Sequence, residues 1–164
     1  MKPIVNMADV EMADRGNGGS FAAALGRIGP LIGAKQLGCM LHVVPAGKKA
    51  FPRHAHHVNE EMMIILEGSG TWRSGTESWP IKAGDIIAAP AGNGDHAHQV
   101  DNTSDGDLRY LCVSTQADPE VVEYPDSGKF GVSSMQENLG GPASARVRFL
   151  GRIEDSVDYY DGEE

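Results

Sequence analysis

The sequence predicts an all-β sandwich or barrel, and three observations carry that reading. Strand-like apolar runs recur at intervals of about 8–12 residues from Leu37 to Thr115, the spacing of short strands joined by turns. The 164 residues include 21 glycines and 9 prolines, which punctuate turns rather than extend helices. No strand–helix–strand alternation is present, and no glycine-rich phosphate loop of the Walker or dinucleotide type.

The elements follow in order. Met12 to Ser20, "MADRGNGGS", is polar and glycine-rich and reads as a loose arm or an edge-forming extension. "FAAALGRIGPLIGAKQ" has room for a short helix near Phe21–Leu25, stopped by Gly26, Gly29 and Pro30. "LGCMLHVVPAG" from Leu37 is a strand ended by Pro45 and Gly47. Glu61 to Gly92 reads strand, turn, strand, turn, strand, with "SGTE" (Ser74–Glu77) as a tight turn. "HAHQVDN" follows, then the turn "NTSDGD", then the strand "LRYLCVST" ending at Thr115. Beyond it, "QADPEVVEYPDSGKFGVSS" is expected to be extended and surface-lying, with a turn at "PDSG". "ARVRFLGRI" (Ala145–Ile153) reads as a short strand or helix. "EDSVDYYDGEE" is a solvated acidic tail that Tyr159 and Tyr160 could pin to the body. The expected organisation is one domain: an N-terminal arm over 1–36, a barrel core over 37–115 and a packed extension over 116–164.

Composition narrows the partners. Hydrophobic residues make up 40% and charged residues 23%, as in ordinary globular proteins. The formal net charge of -9 argues against a nucleic-acid groove or an anionic membrane surface, both of which need clustered Lys and Arg. No run of about 18 apolar residues suggests a membrane span. Residues 1–20 lack a basic segment followed by an apolar one, so no signal peptide is expected and the cytoplasm is the default. Cys39 and Cys112 each lie in an apolar run and read as small buried thiols.

Chemistry concentrates in "HAHHVNEE", residues 54–61, directly before the apolar run Met62–Leu66. His54 and His56 are two apart, so on a strand both imidazoles point the same way. Glu60 or Glu61 adds a carboxylate, and "HAH" supplies a second pair, His96 and His98, at the entrance of another strand. An isolated H-x-H is a weak signal. Two clusters with an adjacent carboxylate are a stronger one, because neutral imidazoles and carboxylates suit divalent first-row metals. His42, on the earlier strand, either lines the same interior or is a satisfied core histidine.

These residues resemble the cupin superfamily, the double-stranded β-helix (jelly-roll) barrels. Its first motif corresponds to Gly47, His54, His56, Glu61 and Gly68, and its second to Gly84, Pro90, Gly92, His98 and Asn102. The resemblance runs from about Leu37 to Thr115. It departs from the usual pattern by one extra residue between Gly47 and His54 and three between Gly92 and His98. Both choices, His96 or His98 and Glu60 or Glu61, therefore stay open. Spacing to Asn102 favours His98. Spacing to Gly68 favours Glu61, whereas strict alternation from His56 favours Glu60.

The resemblance implies one divalent transition metal on His54, His56, Glu61 and His98. Three imidazoles and one carboxylate would leave two positions of an octahedral ion open. Iron or manganese is favoured, with zinc, nickel, cobalt or copper as alternatives. The expected function is a metal-dependent enzyme on a small molecule, of oxygenase or isomerase type. The alternative is a small-ligand binding or sensor module, for a sugar or organic acid, anchored by the metal; a purely structural metal ranks third. His57, His96, Glu60 and Tyr110 are candidate acids or bases, and Arg53 a candidate holder of a carboxylate or phosphate. Met62, Met63, Ile65, Trp72 and Trp79 are either pocket wall or ordinary core. A homodimer is expected, with the N-terminal segment adding to a sheet.

Overall fold

The computed structural model describes residues 2–134 and 147–163. The strands are β1 (Ala13–Gly16), β2 (Ala22–Arg27), β3 (Leu37–Val44), β4 (Ala55–His56), β5 (Glu61–Glu67), β6 (Ser69–Ser74) and β7 (Glu77–Lys82). They continue with β8 (Ile86–Ala89), β9 (His98–Asp101), β10 (Leu108–Thr115), β11 (Glu120–Tyr124), β12 (Lys129–Ser134) and β13 (Val147–Arg152). Among the described residues the only α-helix is the four-residue α1 (Gly29–Ile32).

Three antiparallel sheets form the body. One has six strands in the order β1-β2-β3-β10-β5-β8, one is β7-β6-β9, and one is β13-β12-β11-β4. Neighbours in the sheets are far apart in sequence, as with β10 between β3 and β5. That is the crossed connectivity of a jelly roll rather than a meander.

The core lies between the sheets. Alternate residues of β3, β5 and β10 (Val44, Met63, Ile65, Leu108 and Tyr110) meet Trp72 and Val100 from β6 and β9. Each such large side chain contributes about 1.5–3 kcal/mol on burial. A second cluster lies on the other face of the six-stranded sheet, where Val10 packs with Ile28 and Leu41, and Val5 and Met12 pack against them. The N-terminal segment is thereby held against the sheet in cis. Gly68 shows why the first motif ends on glycine: its φ is 81°, and an added Cβ would collide with the Asp107 carbonyl.

Several local expectations are corrected. The helix expected near Phe21–Leu25 is strand β2, and the helix begins only at Gly29. Pairing with β3 decides this: Ala24, Leu25, Gly26 and Arg27 face Val43, His42, Leu41 and Met40. Pro30, read as a stop, sits in the first turn of α1, where its missing N–H costs nothing. The stretch after Thr115 is less peripheral than expected, since β11 pairs with β4 as well as β12. Tyr159 and Tyr160 stack edge to face on each other and stay exposed, so they do not pin the tail. Of the segment Ala145–Ile153, residues 145 and 146 lie outside the described residues, as does Glu164, and Val147–Arg152 is β13.

Candidate metal centre

Backbone pairing builds the site first. His54 N–H donates to the His98 carbonyl (3.1 Å) and His98 N–H to the His54 carbonyl (2.7 Å), so the two histidine motifs face each other across one antiparallel bridge. Glu61 opens β5, opposite Ser114 and Ala89. His54, Glu61 and His98 each turn a ligand-type atom to a common point, all within 4.8 Å of one another. His98 Nε2 lies 3.1 Å from Glu61 Oε2. His56 adjoins this group, with Nε2 3.7 Å from the same oxygen. An imidazole–carboxylate set of this kind suits a divalent transition ion.

Neighbouring groups orient each member. His54 Nδ1 pairs with the Pro52 carbonyl at 2.8 Å, which puts the proton on Nδ1 and leaves Nε2 with a free lone pair. His98 is 2% exposed and stacks on Trp72, ring centroids 5.1 Å apart. His56 Nδ1 is buried and faces Glu120 Oε2 at 3.5 Å, an electrostatic pairing too long and misaligned for a hydrogen bond. Glu120 is itself fixed by the backbone N–H groups of Val58, Asn59 and Val121 and by the Asn59 side chain. The Cys112 thiol donates to Glu61 Oε1 at 3.3 Å, leaving Oε2 to the imidazoles.

Electrostatics keep the cluster in ligating form. Burial alone would raise the Glu61 pKa, but the His98 hydrogen bond and the electrostatic influence of the His56, His54 and His98 imidazoles outweigh it and hold the carboxyl near 2. Burial, reinforced by His98 and His56, pulls His54 to about 4, so its imidazole is neutral at pH 7. Burial pushes the Cys112 thiol and the Tyr110 phenol well above their usual range, and both stay protonated.

The cluster lines a cavity of about 350 Å³. Phe51, Met63, Val100 and Val122 contribute apolar wall, and His42, Tyr110, Cys112 and Arg27 also line it. Of the five apolar residues expected as wall or core, Met63 lines the cavity, Ile65 and Trp72 are core, and Met62 and Trp79 are exposed. His96, in the turn before β9, contacts Asn93 instead and lies outside the cluster, as does the exposed Glu60. His57 pairs with Glu123 at 2.8 Å, away from the cavity lining. Arg53 is spent on Asp126 and the Gly75 carbonyl.

Two participants escaped sequence reading. Glu120 looked like one acid among many, in a stretch read as surface. Only the β11–β4 pairing brings it to His56. The Cys112–Glu61 contact needs β10 beside β5, which no local pattern reveals.

The family model described as "Cupin domain" matches residues 40–114. Residues 40–114 are a cupin domain. The cupin domain contains Glu61 and His98 and both histidines of the first pair. An uncharacterized protein of Methanocaldococcus jannaschii is 33% identical over 85 residues, 49% of this chain and 65% of that protein. An oxalate-binding protein of Thermotoga maritima is 35% identical over 60 residues, 37% of this chain and 47% of that one. The chain thus spans less than two thirds of the length of these curated relatives. A putative sugar phosphate isomerase from Acidithiobacillus ferrooxidans superposes with a TM-score of 0.78 at 23% identity, covering 96% of both chains. That likeness extends the shared fold beyond the cupin domain to nearly the whole chain.

Proposed function

We propose that the chain is a metal-dependent enzyme acting on a small, oxygen-rich molecule, of isomerase or oxygenase type. His54, His56, Glu61 and His98 would hold one divalent ion, iron or manganese by preference. The observation that carries this reading is the convergence of imidazoles and a carboxylate on the lining of an otherwise largely apolar cavity. The names of two similar proteins, an oxalate-binding protein and a putative sugar phosphate isomerase, point to the same class of ligand.

When bound, such an ion supplies a Lewis acid that polarises a carbonyl or hydroxyl oxygen of the ligand. The chain's residues do the rest. The Pro52 carbonyl fixes the His54 tautomer, and Cys112 orients the Glu61 carboxylate. Tyr110 and Cys112, held protonated by burial, are donors rather than bases. The apolar walls limit water.

A second reading, a binding module with the metal as anchor, is favoured by one observation. His57, His96 and Glu60 are all absent from the cavity lining, which leaves few proton carriers there. We also propose a homodimer joined at the open edge of β1.

Elemental analysis of tag-free protein reconstituted with Fe(II) or Mn(II) tests the site. About one ion per chain is expected in the wild type and in Glu60→Gln, and loss in His54→Ala and Glu61→Gln. Full metal content in both His54→Ala and Glu61→Gln would sink it. Oxygen uptake against sugar-phosphate interconversion by the loaded protein then separates oxygenase from isomerase. Ligand binding without either activity would favour the module.

A further inference from the structure

We infer that Arg27 and His42 form an oxyanion-binding subsite in this cavity, apart from the His/Glu cluster, so that its ligand carries a carboxylate or a phosphate. The inference rests on the small-molecule reading of the cavity and narrows the substrate class. It does not need the metal.

The placement comes from register. On the paired strands β2 and β3, Arg27 faces Met40 and Leu25 faces His42. Arg27 and His42 are therefore diagonal neighbours on one face, a separation of about 7–8 Å, and both line the cavity. Glu61 lies on β5, separated from β2 in the sheet by β3 and β10.

His42 is an unexplained buried group. It is 3% exposed, and its Nδ1 is buried with no hydrogen-bond partner. Its ring stacks face to face on Tyr110, centroids 4.5 Å apart and planes 3° from parallel, and meets the edge of Phe51 at 5.7 Å. These contacts fix the ring's direction without satisfying Nδ1. The Met40 carbonyl lies near enough to the ring to raise its pKa slightly, yet Nδ1 is left without a partner. Burial pulls the pKa to about 4, so the imidazole is neutral at pH 7 and carries one N–H donor. A buried polar group without a partner costs folding free energy. A ligand oxygen in the cavity would offset that cost.

Arg27 supplies the charge. It is the only Lys or Arg among the described residues lining the cavity, and none of them is ion-paired to it. Arg27 is exposed, so its guanidinium stands at the solvent side of the cavity lining with no carboxylate partner among the described residues to neutralise it. Its planar fork matches carboxylate and phosphate oxygens in a bidentate fashion. The cavity thus offers imidazoles and a carboxylate at the His/Glu cluster and, on β2 and β3, a guanidinium with a neutral imidazole donor on which Glu61 still acts electrostatically. A small molecule with chelating oxygens at one end and an anionic group at the other is complementary to both.

The test uses the isotope-labelled full chain, both metal-free and Zn(II)-loaded, titrated with inorganic phosphate and with acetate at constant ionic strength. Nuclear magnetic resonance reads the Arg27 Nε–H and the His42 ring signals. At least one anion should shift both residues saturably in both forms. Arg27→Gln should weaken that binding about tenfold, equivalent to about 1.4 kcal/mol, with zinc content unchanged. His42→Phe, which keeps the ring stack, should weaken it too. Tighter phosphate binding would assign a phosphate ester, and tighter acetate binding a carboxylate. Failure of either residue to respond to both anions, or wild-type affinity in Arg27→Gln, would overturn the subsite. Failure of the metal reading would appear separately, as no stoichiometric zinc while the anion response persists.

Discussion

His42 and His54 are held uncharged inside a cavity that a soluble imidazole would enter only at a cost. Burial is the first cause for both, and each sits near 4 against an ordinary 6.5. Between those values the unfolded chain binds protons that the folded chain refuses, so metal-free stability is fully present above pH 6.5 and falls as pH drops towards 4. The effect of His42 alone is on the order of 3 kcal/mol. Glu61, held near 2 from an ordinary 4.5, extends the loss to lower pH, because its favourable interactions disappear on protonation. Urea melts of the metal-free protein at pH 7, 5.5 and 4 should show this decline, and His42→Phe should flatten its upper part. A pH-independent midpoint across that window would contradict the burial of neutral histidine. At this scale the sequence made candidates of His54, His56, His98 and Glu61 through type and spacing, and the fold groups His54, Glu61 and His98 with His56 beside them. The sequence left His42 ambiguous, since one histidine in an apolar run looks the same whether its ring is satisfied or not.

Between elements, Asn102 explains why the second motif ends on asparagine. It is wholly buried, and its Nδ2 donates to the carbonyls of Val44 and Gly106, both at 2.7 Å, while Oδ1 accepts from Ser104. One side chain thus ties the end of β3 to the turn between β9 and β10. Asn102→Ala would remove a donor from both carbonyls, leaving Gly106 only the Ser104 hydroxyl, and a loss of about 1–3 kcal/mol is expected, read as a lower melting temperature with metal content retained. An unchanged melting temperature would remove this structural role. The choice between Glu60 and Glu61 is also an element-level matter. β4 is only two residues long and pairs with β11, whereas β5 pairs with β10 and β8. The residues between them belong to neither strand, so alternation counted from His56 does not carry across. Glu61 faces inward because β5 sets its own parity. The misplaced helix has the same origin: propensity favoured "FAAAL" as a helix, and pairing with β3 outweighed it.

For the whole molecule, the outer edge of β1, which pairs with β2 alone among the described residues, bears on assembly. β1 closes one end of the six-stranded sheet, and all four of its residues are exposed. An open edge presents unpaired N–H and C=O groups that a second copy can complete. Light scattering after size exclusion should give twice the chain mass at micromolar concentration, and Asp14→Pro, which removes an N–H that faces away from β2, should shift it towards monomer. A monomer in the wild type would defeat the homodimer. The architecture itself was legible beforehand, because turn residues and the period of apolar strands are local properties that pairing only assembles. The motif histidines were legible for the same reason: H-x-H carries its own geometry along a strand. Tertiary structure alone decided that Glu120 backs His56, that Cys112 holds Glu61, and that Arg27 and His42 share a cavity. Each of these contacts joins strands far apart in the chain, and which strands become neighbours depends on how the sheets close over a common core rather than on any one segment's sequence.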